Sequence, residues 1–364
     1  MRCVYTPAHA LHAPQSETEA GVPIPTYEVP RRAEVIHAEL QSDGGFDFVE
    51  PVEHGLDPLR AVHDERLIDY ITHAWTKGAA PAGEAAIIPD TFAHFALRAG
   101  MEGEIEPSSA AAKLGYFCFD TTTPVVEGTC AAARAAVDVA LTATDLVLGG
   151  DTVAYGLCRP PGHHAARAVY GGYCFFNNAA IAAQYVTEGL GERVAVLDVD
   201  YHHGNGTQQI FYGRGDVMYA SLHADPNRAY PYFTGFEDET GAGAGAGANL
   251  NLPLPAGCAA NEFFVALETA IEAIDSFGPE VVIVSLGVDT YLNDPIADFS
   301  LTTSDQHEMG ARVGKAFRNI VVLQEGGYDV DALGVNVRVW LCGVEGRALH
   351  EDKVSGGARA GSSD

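Results

Sequence analysis

Five short runs of Val, Ile, Leu and Ala mark this chain from residue 152 onward: Thr152–Cys158, Arg193–Asp200, Val217–His223, Val281–Gly287 and Ile320–Gln324. Runs this short and apolar fit strands buried on both faces, as in parallel sheets. Between and before them lie Ala-rich stretches with helical spacing, at Glu127–Leu146, Asn177–Glu188, Asn261–Phe277 and Ser304–Arg318. The spacing predicts a helix in each, and Ser304 is the expected N-cap of the last. Repeated strand–helix alternation implies βαβ units and one doubly wound α/β sheet flanked by helices. No polar linker divides the chain, so residues 1–350 are expected to form one domain. The Gly/Ser/Ala-rich residues 351–364 are expected to be a flexible tail. The first 115 residues are less regular, rich in Pro, Gly and acids, and are expected to supply long loops around a site.

Charge narrows the partners. Against 49 Asp and Glu stand 21 Lys and Arg, for a formal net charge of −28. A nucleic-acid backbone or an anionic membrane surface calls for clustered cations, so neither is an expected partner. An acidic surface draws cations toward a cleft and is compatible with a cationic substrate. The seven cysteines form no C-x-x-C pair, and no apolar run reaches membrane-spanning length. Reduced thiols in a cytoplasm are the expectation.

Four clusters carry chemistry, each just beyond an apolar run, where open α/β sheets place their sites. The first is Asp198-Val199-Asp200-Tyr201-His202-His203-Gly204-Asn205-Gly206-Thr207. Period-2 spacing aligns Asp198, Asp200 and His202 on one side of an extended chain. Two carboxylates and an imidazole suit a divalent cation such as zinc. The second is Arg159-Pro160-Pro161-Gly162-His163-His164-Ala165, whose paired histidines suit acid–base work. In the third, Ser285-Leu286-Gly287-Val288-Asp289, the Asp289 carboxylate is placed to complete a metal site. In the fourth, Gln324-Glu325-Gly326-Gly327-Tyr328, two glycines permit a sharp turn that aims Tyr328 back at the site. The Gly-Ala repeat at 241–247 lacks the strand-before, helix-after setting of a phosphate loop and reads as a turning loop.

Together these clusters, with Gly171-Gly172-Tyr173-Cys174-Phe175-Phe176-Asn177-Asn178, resemble the histone deacetylase superfamily from the N-terminus to about Gly346. Within it the chain looks most like the bacterial acetylpolyamine amidohydrolases. Softer signals for that subfamily are Glu17, Gly21-Val22-Pro23, Pro30-Arg31-Arg32-Ala33-Glu34 and Gly115-Tyr116-Phe117-Cys118-Phe119-Asp120. One departure is Cys130, where a tryptophan is expected. The resemblance implies an arginase-like single-domain α/β fold with a central, mostly parallel eight-stranded sheet. It implies one Zn²⁺ on Asp200, His202 and Asp289, with His163, His164 and Tyr328 as catalytic groups. Asp198 would orient His163, and Asn205 would orient His164. Tyr173 and Tyr230 would wall a narrow tunnel, and the Gly172 carbonyl would accept from the scissile amide N–H. Asp198, with backbone at Ser221 and Leu222, resembles an inner potassium site. Residues 84–115 would be an inserted loop capping the entrance in a homodimer. Glu17 and the acids at 102, 104 and 106, Glu106 among them, would draw the distal ammonium.

The expected activity is hydrolysis of an acetylated polyamine, or a similar small cationic amine, to acetate and free amine. Deacetylation of acetyl-lysine in proteins, or cleavage of another small amide, stays open, because the tunnel mouth cannot be drawn from sequence. A catalytically dead binding protein would have lost a ligand, a histidine or Tyr328, and none is missing. A binuclear manganese ureohydrolase would carry further Asp-rich motifs like D-A-H-x-D, which do not occur.

Overall fold

The computed structural model describes residues 1–77, 86–101 and 105–349. The strands are β1 (Arg2–Val4), β2 (Ser16–Glu19), β3 (Val22–Pro25), β4 (Asp47–Val49), β5 (Val153–Gly156), β6 (Val194–Asp198), β7 (Val217–Ala224), β8 (Asn249–Leu254), β9 (Val281–Leu286) and β10 (Ile320–Gln324). The helices are α1 (Arg31–Asp43), α2 (Asp57–Val62), α3 (Glu65–His73), α4 (Ala110–Phe117), α5 (Thr129–Leu148), α6 (Asn178–Leu190), α7 (Asn205–Phe211), α8 (Ala260–Phe277), α9 (Thr303–Ala316) and α10 (Leu333–Val344).

Eight strands form one sheet in the order β4-β1-β5-β10-β9-β6-β7-β8, and β2 and β3 form a separate hairpin. Every pairing in the large sheet is parallel. Strands β6, β9 and β10 are buried along their whole length, which is why they read as continuous apolar runs rather than alternating ones. Their side chains still divide by period 2. Val282, Val284 and Leu286 pack with α1, α8, α9 and α10 on one face, while Val281 and Ile283 pack with α5 and α6 on the other. Each fully buried aliphatic side chain contributes on the order of 1.5–3 kcal/mol. β10 is the last strand in the chain but lies inside the sheet, between β5 and β9.

Helix ends follow local chemistry. Asn177 caps α6 by accepting from Ala180 N at 2.8 Å. The cap of α9 is Thr302 rather than the expected Ser304. Thr302 and Asp305 form a reciprocal capping box, which satisfies two amides where Ser304 would satisfy one. The irregular first 115 residues hold β1, the hairpin, β4, the first three helices and most of α4. The 241–247 segment forms a short 3-10 turn at Gly243–Gly245. Cys130 is partly buried at the start of α5, against the apolar layer. Among the described residues no helix is long and apolar enough to cross a membrane. The expected tail at 351–364 lies outside the described residues.

Candidate active site

Strands β5, β10, β9 and β6 are neighbours, and the four chemical clusters leave their C-terminal ends side by side. Sheet order therefore brings together residues separated by up to 165 positions, from His163 to Tyr328.

Asp200, His202 and Asp289 are buried, and their potential ligand atoms all lie within 4.8 Å of one another. The backbone holds both carboxylates: Asp200 Oδ2 accepts from Gly326 N at 2.7 Å, and Asp289 Oδ1 accepts from Tyr201 N at 3.0 Å. His202 Nδ1 stands 3.3 Å from Asp200 Oδ1 and 3.1 Å from Asp289 Oδ2. Burial, reinforced by the charge on Asp200, pushes Asp289 above the usual carboxylate range. Burial opposes ionisation of Asp200 too, but the charge on His163 and the bond from His202 hold it well below that range. Buried carboxylates this close ionise together only with a cation between them. A Cβ at Gly326 would sit 2.5 Å from both Asp200 Oδ2 and Asp289 Oδ2, so the backbone closes over the cradle only without a side chain. The donor set fits a divalent cation such as zinc. A second trio, His163, Cys174 and Glu325, also converges. It fits less well: burial pushes the Cys174 thiol far up, and Glu325 Oε2 already accepts from Gly162 N and His163 N at 2.6 and 3.1 Å.

The two histidines differ by their partners. Their ring centroids are 4.0 Å apart. His163 Nδ1 lies 3.1 Å from Asp198 Oδ2, and Asp200 Oδ1 lies 3.9 Å from its Nε2. Burial disfavours its cation, yet Asp200, Asp198 and Glu325 outweigh that and push it up to about 10. His164 is held well below its ordinary value by burial, then by the charge on His163. Its Nδ1 lies 2.7 Å from Asn205 Oδ1. Asn205 Nδ2 donates to the His164 carbonyl, which fixes the amide orientation and makes Oδ1 the acceptor. His164 therefore carries its proton on Nδ1 and keeps Nε2 as a base.

A cavity of about 1000 Å³ opens above these groups and is lined by His164, His202 and Tyr328 among others. Burial holds Tyr328 far above the usual phenol range, so it remains a donor. Asp294 accepts from Tyr328 N at 2.7 Å, and the Arg32 guanidinium lies 4.6 Å from its ring centroid. Tyr173, Tyr230 and Gly172 line the walls, as the sequence suggested for a tunnel. Sequence reasoning quoted Asp120 but gave it no role. Its Oδ2 accepts from Gly172 N at 2.6 Å and from the Tyr230 hydroxyl at 2.8 Å, tying the two walls together. The Gly172 carbonyl accepts from Cys174 Sγ at 3.2 Å. Glu17 is on the cavity wall but only 2% exposed. Glu106 is ion-paired with Lys113, one turn into α4, and is not among the residues lining this chain's own cavity. The acids at 102 and 104 fall outside the described residues. Asp198 and Ser221 are register partners on β6 and β7, with Leu222 next along β7.

The histone deacetylase domain family matches residues 26–344. Acetylpolyamine amidohydrolase 1 of Pseudomonas aeruginosa is 43% identical over 348 residues, 96% of this chain and 100% of that protein. The acetylpolyamine amidohydrolase of Mycoplana ramosa is 40% identical over 346 residues, 95% of this chain and 100% of that one. A crystal structure of acetylpolyamine aminohydrolase from Burkholderia pseudomallei, from an iodide soak, superposes with a TM-score of 0.87 at 37% identity, covering 94% of this chain and 98% of that one.

Proposed function

This chain belongs to the histone deacetylase family, and on that premise we propose that it is a zinc-dependent amidohydrolase that cleaves acetylated polyamines, or similar small cationic amines, to acetate and free amine. The observation that carries this reading is the meeting, at one end of the cavity, of the Asp200–His202–Asp289 cradle, the His164 Nε2 base and the Tyr328 hydroxyl.

Zinc held by Asp200, His202 and Asp289 would polarise the substrate carbonyl and acidify water. His164 takes the proton from water at Nε2, and Asn205 holds the tautomer that allows it. His163, kept cationic by Asp200 and Asp198, balances the charge of the buried carboxylates. The Tyr328 hydroxyl donates to the oxygen that gains negative charge as the carbonyl is attacked. When the C–N bond breaks, a histidinium returns the proton to the leaving amine. The Gly172 carbonyl accepts from the scissile N–H, while Tyr173 and Tyr230 enclose the methylene chain, which offers apolar contact alone. Asp198 with backbone at Ser221 and Leu222 is assigned a structural K⁺. Burial raises the Asp198 carboxyl despite the pull of His163, and a nearby cation relieves that cost.

For substrate, the relatives named for acetylpolyamines and the acidic wall residues Glu17 and Asp120 favour a small polycation. A homodimer entered past residues 84–115 belongs to the same reading. Leu97, Met101 and Ile105 there are 71, 62 and 64% exposed, an apolar surface suited to a second copy. The test is a substrate panel of acetylputrescine, acetylspermidine and an acetyl-lysine peptide with the zinc-loaded enzyme. Higher kcat/KM on the two polyamines is expected. Preference for the peptide would transfer the same chemistry to a protein deacetylase.

A further inference from the structure

Asp198 has three donors. Its Oδ1 accepts from Asp200 N at 3.2 Å. Its Oδ2 faces His163 Nδ1 at 3.1 Å and also accepts from the Tyr219 hydroxyl at 3.0 Å. Tyr219 lies on β7, in register with Val196, two residues before Asp198 on the neighbouring strand. From there the phenol crosses the strand gap to the carboxylate, and the side chain is only 1% exposed. The junction is closed on its remaining side by backbone. A Cβ at Gly204 would stand 2.3 Å from Asp198 Oδ2, 2.6 Å from the Tyr219 hydroxyl and 3.1 Å from His163 Nδ1. Three functional groups and one glycine thus meet, with no room for a side chain at position 204.

We propose that Tyr219 is a positioning residue for His163, acting through Asp198. A carboxylate with one imidazole partner is free to rock about its χ2 torsion and present either oxygen. The Tyr219 hydroxyl engages the same oxygen as His163, and Asp200 N engages the other, so the carboxylate plane is fixed by donors on both sides. That fixed plane aligns His163 Nδ1–H and, through the rigid ring, the direction of Nε2 toward the reacting groups. Tyr219 lines neither the cavity nor the metal cradle; it also meets Ser221, Gly204 and the His203 ring, and the Asp198→Asn background separates those contacts from the path through Asp198.

The inference rests on the amidohydrolase reading for its kinetic arm alone. The full-length enzyme carries two readouts. In Tyr219→Phe the ring volume is kept and the hydroxyl lost. The kcat for acetylputrescine is expected to fall about tenfold with KM unchanged, in line with the usual cost of removing an outer hydrogen-bonding partner. Independently of substrate, the slowly exchanging low-field proton resonance of His163 Nδ1–H is expected to shift and broaden. In an Asp198→Asn background the Tyr219→Phe change is expected to add no further loss, because the path is already cut. An unmoved resonance, or an additive loss in the Asp198→Asn background, would overturn the proposal. If Tyr219→Phe does not fold, 3-fluorotyrosine placed at 219 serves instead. Its more acidic hydroxyl is expected to move the same resonance, and no movement overturns the idea. Lack of turnover on every acetylated amine would count against the functional reading, while the resonance still decides the role of Tyr219.

Discussion

The Tyr173 hydroxyl donates to Glu17 Oε1 at 2.8 Å, so a cavity-wall aromatic and the acid expected to attract the substrate form one unit. Glu17 Oε2 is engaged as well, accepting from Thr26 Oγ1 at 2.8 Å and Tyr27 N at 3.3 Å. Burial raises the Glu17 carboxyl, with these donors pulling against it. Glu17→Gln should raise KM for acetylputrescine roughly fivefold, about 1 kcal/mol, and leave a neutral acetamide nearly unaffected. The difference should shrink as salt is added. Equal effects on both substrates would mean that Glu17 serves only to hold Tyr173.

Asp200→Ala removes one carboxylate from the cradle and the acceptor of Gly326 N. Zinc and activity should be lost together, with zinc counted by elemental analysis of the folded variant. Full zinc occupancy would show that the ligand assignment is wrong.

Tyr328→Phe keeps the ring beneath Arg32 and deletes the donor. Zinc content and Tm should hold, while kcat falls roughly 10²–10³-fold. A near-normal kcat would place the oxyanion donor elsewhere.

A stability effect with a defined pH window comes from His54, far from the chemistry. Its Nε2 lies 2.9 Å from Asp145 Oδ2, and Asp138 Oδ1 lies 3.5 Å from its Nδ1, so the chain after β4 is tied to α5. The bond to Asp138, then that to Asp145, raise its pKa to about 9 against the effect of burial. A folded-state pKa above the unfolded value of about 6.5 stabilises fully below that value. The contribution then fades as pH rises through about 9. His54→Gln should therefore lower Tm at pH 6 and match wild type near pH 10. A constant Tm difference across that range would show that the His54 charge is not involved.

The dimer reading is checked by sedimentation. A Leu97→Glu, Met101→Glu, Ile105→Glu variant should run as a monomer, while the unchanged chain runs at twice its mass. A wild-type monomer would remove the partner's loop from the entrance.

The central strands and the motifs that follow them were legible because burial on both faces writes an unbroken apolar run. β10 was read to the residue, and β5, β6, β7 and β9 to within two or so at either end. β1 and β4 were not found, since three residues are too few to show a period. β8 is an edge strand that alternates Asn and Leu and carries Pro253, so it was not found. In the site, residues inside the motifs were legible as candidates, and residues that act across the sheet were not. Asp120 reaches Tyr230 across 110 positions, and Tyr219 reaches Asp198 from a neighbouring strand. No local spacing records such contacts. The ion pair of Glu106 with Lys113 was not legible, because the two become adjacent only once α4 forms.

The place of β10 has a consequence for how the chain comes to be made. A ribosome completes β5 well before β10 and β9 shortly before it, and until β10 arrives each offers an unpaired edge. Asp200 meanwhile lacks the Gly326 amide, and the Glu325 carboxylate is missing behind His163. The nascent chain can collapse early as two sheet fragments, β4-β1-β5 and β9-β6-β7-β8, but the last strand must slot between them. Unpaired parallel edges are templates for aggregation until that strand is in place. On the proposed reading, a metal would meet an Asp200 carboxylate held by the Gly326 amide only after β10 has paired.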